Sequence, residues 1–250
     1  MLSDIYNGLK FSFSYFSIIP IKFQDGINLH KKSILAFMIF FLPFVGLILG
    51  GLSIGIFKIF AQLSYVGATI AAISYMVLYS FIHSEAIIDV VDAIFAKHSG
   101  KDPYKIIKEP TVGAIGVFYG IFAIILKLIL IIYFFLNDLF IEFLLVLLIS
   151  RISLQFLIFI ADFESTFVIE LKKSFTKNYF LLSVAFYSFI GIFFIGFKFL
   201  VFLFVGLLFG FIISKILKRK LGFLNGDALG FTLEFVEISC LVLFLYFIKI

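Results

Sequence analysis

Three carboxylates, Glu85, Asp89 and Asp92, stand at i, i+4 and i+7 in the stretch Phe81-Ile-His-Ser-Glu-Ala-Ile-Ile-Asp-Val-Val-Asp-Ala-Ile94. On a helix turning ~100° per residue they share one face, with Ile87, Ile88, Val90 and Val91 pointing largely elsewhere. Like charges at this spacing cost a bare helix a few tenths of a kcal/mol per pair, so the cluster is best explained by a cation held within it. Carboxylate oxygens are hard ligands suited to Mg²⁺ or Mn²⁺, and Mg²⁺ commonly takes one or two of them and leaves its other positions to substrate phosphates and water. Asp89 and Asp92 are the leading candidates; the plainer alternative is a solvated acidic face at a helix end. His83, just upstream, is a candidate base or polar substrate contact, or else a structural histidine.

Two further segments carry groups of the same chemistry. In Ile107-Lys-Glu-Pro-Thr-Val-Gly-Ala-Ile-Gly116, Lys108 offers a point charge for a phosphate. Gly113 and Gly116, at the opening of an apolar stretch, permit close backbone approach and expose helix N-terminal amides to an anion. A basic flank followed by a small-residue packing face is the alternative there. In Gly222-Phe-Leu-Asn-Gly-Asp-Ala-Leu-Gly230, Asp227 opens the last apolar stretch, and Glu234 and Glu237 lie within it. Carboxylates at membrane depth face a cavity or a partner, and Lys127 and Arg151, also inside apolar stretches, are available as ion-pair partners. Together the three segments could clamp a diphosphate through metal and ammonium groups, which points to phosphoryl or phosphatidyl-type transfer by positioning and charge stabilisation.

The elements that must position these groups are membrane spans. Of 250 residues 63% are hydrophobic, 14% are charged and 39 are Phe, and the mean hydropathy is +1.22. Continuous apolar runs of about 20 residues predict an all-α polytopic bundle and exclude a β-barrel, whose strands alternate in segments of about 10. Spans are expected at 33–57, 64–83, 113–136, 139–161, 179–196, 199–214 and 228–248, about seven in one membrane domain covering 1–250. The division at Gly196-Phe-Lys198 is the weakest boundary. Phe11 to Ile21, broken by Pro20, is too short to span and predicts an interfacial or re-entrant helix, with the N-terminus in the cytoplasm.

With that orientation fifteen basic residues fall on inner segments, around Lys31, Lys105, Lys173 and Arg219. Only Lys58, Lys198 and Lys249 fall outside, so the net charge of +5 reflects membrane topology and gives no support to nucleic-acid binding. Cys240 lies in an apolar run as a small hydrophobe.

In order and spacing these motifs resemble those of the cobalamin synthase (adenosylcobinamide-GDP ribazoletransferase) family. Its His followed by Asp-Gly-Leu-x-Asp-x-x-Asp-Gly is similar to His83 through Ala93, and its Met-Lys-Asp-x-x-x-Gly-x-x-Gly is similar to Ile107 through Gly116. Its late Gly-Gly-x-Thr-Gly-Asp-x-x-Gly with two downstream Glu is similar to Gly222 through Gly230 with Glu234 and Glu237. Phe16-Ser-Ile-Ile-Pro20 and Pro43-Phe-Val-Gly46 are weaker echoes. The chain departs from the pattern at Glu85-Ala86, Ala93, Glu109, Phe223 and Asn225.

The resemblance implies a multi-spanning enzyme of the bacterial or archaeal cytoplasmic membrane with its site facing the cytoplasm. The reaction would join adenosylcobinamide-GDP to α-ribazole or its 5′-phosphate, release GMP and use Mg²⁺. It further implies that Glu85, Asp89, Asp92 and Asp227 hold the metal, that Lys108 neutralises the leaving phosphate and that Asp227 can take the nucleophile's proton. His83, Gly113, Gly116, Asn225 and Glu234 would contact substrate, with a homo-oligomer or other corrinoid-pathway enzymes as candidate partners. A CDP-alcohol phosphotransferase would need Asp-Gly-x-x-Ala-Arg, which is absent from the sequence. A cation-coupled transporter would use Glu234, Lys127 and Arg151 as an intramembrane relay.

Overall fold

Twelve α-helices account for the architecture in this computed structural model, which describes residues 2–248. They are α1 (Leu2–Phe16), α2 (Lys32–Phe40), α3 (Leu42–Phe60), α4 (Tyr65–Leu78), α5 (Ile82–His98), α6 (Pro103–Ile106), α7 (Ala114–Leu136), α8 (Phe140–Ile160), α9 (Thr166–Ser174), α10 (Lys177–Ile195), α11 (Lys198–Leu221) and α12 (Gly226–Ile248). No strand occurs among the described residues. Six segments are long and apolar enough to cross a membrane, Leu42–Leu63, α7, α8, α10, α11 and Gly226–Phe247, and a seventh crossing results if α4 and α5, bent by 74°, count as one. The chain is a multi-pass membrane protein.

α8 and α12 form the centre, with 78% of the apolar window of α8 inside the bundle against 22% for α10. The outer faces of α7, α10 and α11 present Phe118, Phe122, Phe189, Phe193 and Phe204 outward, as a surface solvated by lipid tails requires.

The expected first span, 33–57, is two helices that meet at Phe41. Pro43 has no N–H to give the Ile39 carbonyl one turn back, and that carbonyl instead accepts from Gln155 Nε2 of α8 at 2.7 Å. The Phe40 carbonyl accepts from Tyr187 Oη of α10 at 3.0 Å, and Ser183 Oγ donates to Gln155 Oε1 at 2.8 Å. In a bundle without water a freed carbonyl must find such a partner. Gln155→Leu is therefore expected to lower stability by about 1–3 kcal/mol, read as a fall in the thermal midpoint in detergent. Ser183→Ala, which leaves both carbonyls served, should cost less.

The expected second span, 64–83, ends early. Ser80 (φ 58°) and Phe81 (φ 51°) are both left-handed, a conformation costing roughly 1–2 kcal/mol per non-glycine residue, and they turn the chain into α5. The chain after α1 closes the corner, with Ile18 N–H donating to the Leu78 carbonyl at 2.9 Å. α1 starts earlier than the apolar stretch 11–21, takes in only its first part and ends at Phe16, before Pro20, since residues preceding proline avoid helical angles. Asp4 ties α1 to the start of α2 through Lys31 (2.8 Å) and Ser33 (3.0 Å), and the Lys31 ammonium holds the Asp4 carboxyl below the usual carboxylate range. The break expected near Gly196 is present, with Gly196 at φ 64° between α10 and α11. The short helix α9 was not expected as a separate element. Cys240 is buried and free; Lys249 lies outside the described residues.

Candidate active site at one end of the bundle

α5 carries the acidic face and lies between the N-terminal ends of α7 and α12. Its first partner is α7, whose N-cap, Gly113, has no side chain to satisfy the free amides of the first turn. Asp92 reaches across from α5 and accepts from Gly113 N–H at 2.5 Å and Gly116 N–H at 2.8 Å. A carboxylate on a helix N-terminus is stabilising through both hydrogen bonds and dipole. The two amides expected to receive a substrate anion therefore hold the protein's own carboxylate, and Gly113 and Gly116 serve the packing of α5 on α7. A Cβ at Gly116 would come within 2.6 Å of Asp92 Cγ and of the Ile88 carbonyl oxygen. Gly116→Ala should force the helices apart, costing about 1–3 kcal/mol, measured as a lower thermal midpoint.

The second partner is the start of α12. Asn225 Oδ1 accepts from Ala228 N–H at 3.0 Å, which makes Asn225 the N-cap, and its Nδ2 donates to Asp227 Oδ2 at 2.7 Å. Asn225, expected to contact substrate, caps the helix and donates to Asp227. Asp227 is half-buried. The charges of Asp227, Glu85 and Asp92 all act on Asp89, and Glu85 acts on Asp227, so the four carboxylates share one locality. Tyr15 of α1 joins them, its hydroxyl pushed above the usual phenol range by burial and then by the negative charge of Asp227.

Asp89 makes no hydrogen bond to any described residue. No three His, Cys, Asp or Glu side chains among the described residues form a ready-made metal cage. The donor chemistry fits a hard dication in another way, through one or two of these carboxylates with the remaining positions filled by diphosphate oxygens and water. Lys108 is exposed, with its ammonium 3.8 Å from the centre of the Tyr104 ring. That ring meets Phe223 edge-on at 5.1 Å. Among the described residues no ion pair links Lys108 to the carboxylates.

Glu234 is not part of this mouth. It is 1% exposed and accepts from Lys127 Nζ of α7 at 2.8 Å. Glu237, also inaccessible, accepts from Tyr75 Oη at 2.6 Å, from Lys127 at 3.3 Å and from Arg151 at 3.4 Å. Arg151 also donates to Tyr75 Oη at 2.9 Å, and Tyr79 and Ser84 close the network. Two cations and two anions thus neutralise one another in the bundle centre. The expectation of substrate contact at Glu234 gives way to the ion-pair reading, and the relay proposed for a transporter is a closed structural network. Tyr75 and Tyr79, at i and i+4 in an Ala-rich helix, are members the sequence did not single out.

His83 is buried beneath α1, its ring parallel to Tyr79 at 5.9 Å and tilted against Phe16 at 6.1 Å. No solved structure gives a significant match. Proteins named adenosylcobinamide-GDP ribazoletransferase are similar along nearly the whole chain. That of Caldanaerobacter subterraneus subsp. tengcongensis is 28% identical over 250 aligned residues, covering 92% of this chain and 96% of that protein. The protein of Thermoanaerobacter pseudethanolicus is 25% identical, covering 94% and 96%. That of Methanosarcina mazei reaches 34% over 119 residues, 46% of this chain and 41% of its own length. The family described as cobalamin-5-phosphate synthase matches residues 8–245, a span that contains all three acidic and glycine-bearing segments. The chain belongs to the cobalamin-5-phosphate synthase family.

Proposed function

We propose that this chain joins GDP-activated adenosylcobinamide to α-ribazole, or to its 5′-phosphate, and releases GMP, completing the nucleotide loop of cobalamin. The observation that carries this reading is the family match through residues 8–245, combined with the convergence of its acidic segments at one end of the bundle.

One or two of Glu85, Asp89, Asp92 and Asp227 would hold Mg²⁺ there, with diphosphate oxygens and water completing its shell. When bound with the diphosphate it would supply positive charge to offset that developing on the leaving phosphate. The ribose hydroxyl oxygen forms a bond to the cobinamide-side phosphorus as the bond from that phosphorus to the bridging oxygen breaks. The hydroxyl proton passes to Asp227, whose orientation is fixed by Asn225. GMP departs with the bridging oxygen, and Lys108 offsets its charge from the loop ahead of α7. Asp92 has a double part, since its oxygens already brace α7 and retain free lone pairs for the cation.

The distribution of basic residues supports a cytoplasmic membrane location with the mouth and the N-terminus on the cytoplasmic side. Purified protein in detergent should release GMP only when adenosylcobinamide-GDP, α-ribazole and Mg²⁺ are all present. Chelation with EDTA should stop the release and Mg²⁺ should restore it; a rate unchanged when α-ribazole is omitted would contradict the proposal.

A further inference from the structure

A cavity of about 130 Å³ lies under α1, walled by Tyr15, Phe16, Phe167, Val168, His83 and Asp227, with aliphatic side chains of α2, α8 and α12 completing it. Its character is aromatic and apolar except at two places. One is Asp227, the carboxylate that also belongs to the acidic mouth. The other is His83, beside Gly230 one turn along α12 from Asp227, only 7% exposed and without a hydrogen bond to any described residue. Its ring nitrogens carry no hydrogen bond and are not among the fully enclosed polar atoms, so beside the Tyr79 and Phe16 rings they stay open to a ligand in the cavity.

We infer that this cavity seats the planar base of α-ribazole, with an imidazole N–H of His83 donating to the unsubstituted ring nitrogen and the ribose emerging toward Asp227. This rests on the transferase reading above and names where its second substrate sits. Size and chemistry choose the base over the other groups in the reaction. A diphosphate needs cations, and no Lys or Arg lines this cavity; a corrin ring exceeds its volume. A bicyclic heteroaromatic of roughly this volume gains from stacking on Tyr15, Phe16 and Phe167. Its glycosidic bond then directs the ribose hydroxyl to the one carboxylate the cavity shares with the metal-binding face. α1 acts as the roof, which gives the N-terminal helix a part in substrate recognition.

The test uses purified protein in lipid nanodiscs and two variants. Val168→Phe fills the cavity from α9 without touching the carboxylates, and His83→Phe keeps a stacking ring but removes the donor. Each should raise the KM for α-ribazole about tenfold or more and leave the KM for adenosylcobinamide-GDP within about twofold. Calorimetric titration with α-ribazole alone should show the same weakening. Monodisperse elution and an unchanged thermal transition establish that each variant is folded. Unchanged α-ribazole affinity in either folded variant would overturn the inference. Failure of the wild type to release GMP would overturn the transferase reading instead, and the titration would still decide the cavity, since absent or undiminished α-ribazole binding contradicts it.

Discussion

Asp89→Asn is expected to lower the rate of GMP release by about 10²–10³-fold while leaving the thermal midpoint unchanged or higher. Loss of activity with no loss of stability is the signature of a group held for function against its own electrostatic interest. Asp89 meets that description because it makes no hydrogen bond to a described residue, while Asp227, Glu85 and Asp92 all press negative charge on it. Removing its charge relieves repulsion and breaks nothing. Asp92→Asn differs in kind, because an amide cannot accept from both Gly113 and Gly116 as the carboxylate does, so stability and activity should fall together. Steady-state turnover and thermal unfolding, measured on the same preparations, separate the two. Near-normal turnover in Asp89→Asn would contradict its assignment to the metal.

Lys127→Met should be the most destabilising single substitution in the bundle, by about 3–5 kcal/mol. It leaves Glu234 and Glu237, both inaccessible, with Arg151 as the one remaining cation of the network, and Arg151 reaches Glu237 rather than Glu234. Tyr79 and Ser84 can donate to Glu234 but bring no charge. The double variant Lys127→Met with Glu234→Gln restores charge balance and should recover more than half of the loss, a coupling that additive effects cannot produce. Thermal unfolding of the three variants in one detergent reads the cycle. A cost below about 1 kcal/mol for Lys127→Met would fall in the range of solvent-screened pairs and contradict the burial described.

What could be read in advance follows from which interactions are local. Hydropathy located six crossings because lipid imposes its demand residue by residue. The spacing of Glu85, Asp89 and Asp92 disclosed a shared face because helical periodicity is local. The corner at Ser80-Phe81 had no such signal: neither residue is Gly or Asn, and the left-handed angles are imposed by the docking of α5 and of Ile18. Gly113 and Gly116 announced a close approach, yet whether an external phosphate or Asp92 would fill it depended on how α5 lies against α7. Asp227 and Glu234 share a face two turns apart, and the roughly 10 Å of rise between them separates a site carboxylate from a buried ion pair. Depth, which the pattern of one helix does not record, decides the role.

The departures from the family pattern have local reasons. Asn225 accepts from the third amide of α12 as a threonine there would, since both are good N-caps. Ala86 packs on Gly230, where any Cβ would come within 2.8 Å of its own, so a methyl on α5 is accommodated by a glycine on α12. Phe223 supports the Tyr104 ring over which Lys108 lies.

The most direct measurement follows both products at once, GMP and the joined corrinoid nucleotide identified by mass, for wild type and Asp89→Asn with Mg²⁺ present. A site that joins the two substrates predicts one mole of joined product per mole of GMP in wild type, and both slowed together by about 10²–10³-fold in the folded variant. GMP without the joined product, or equal rates in the two proteins, would contradict it.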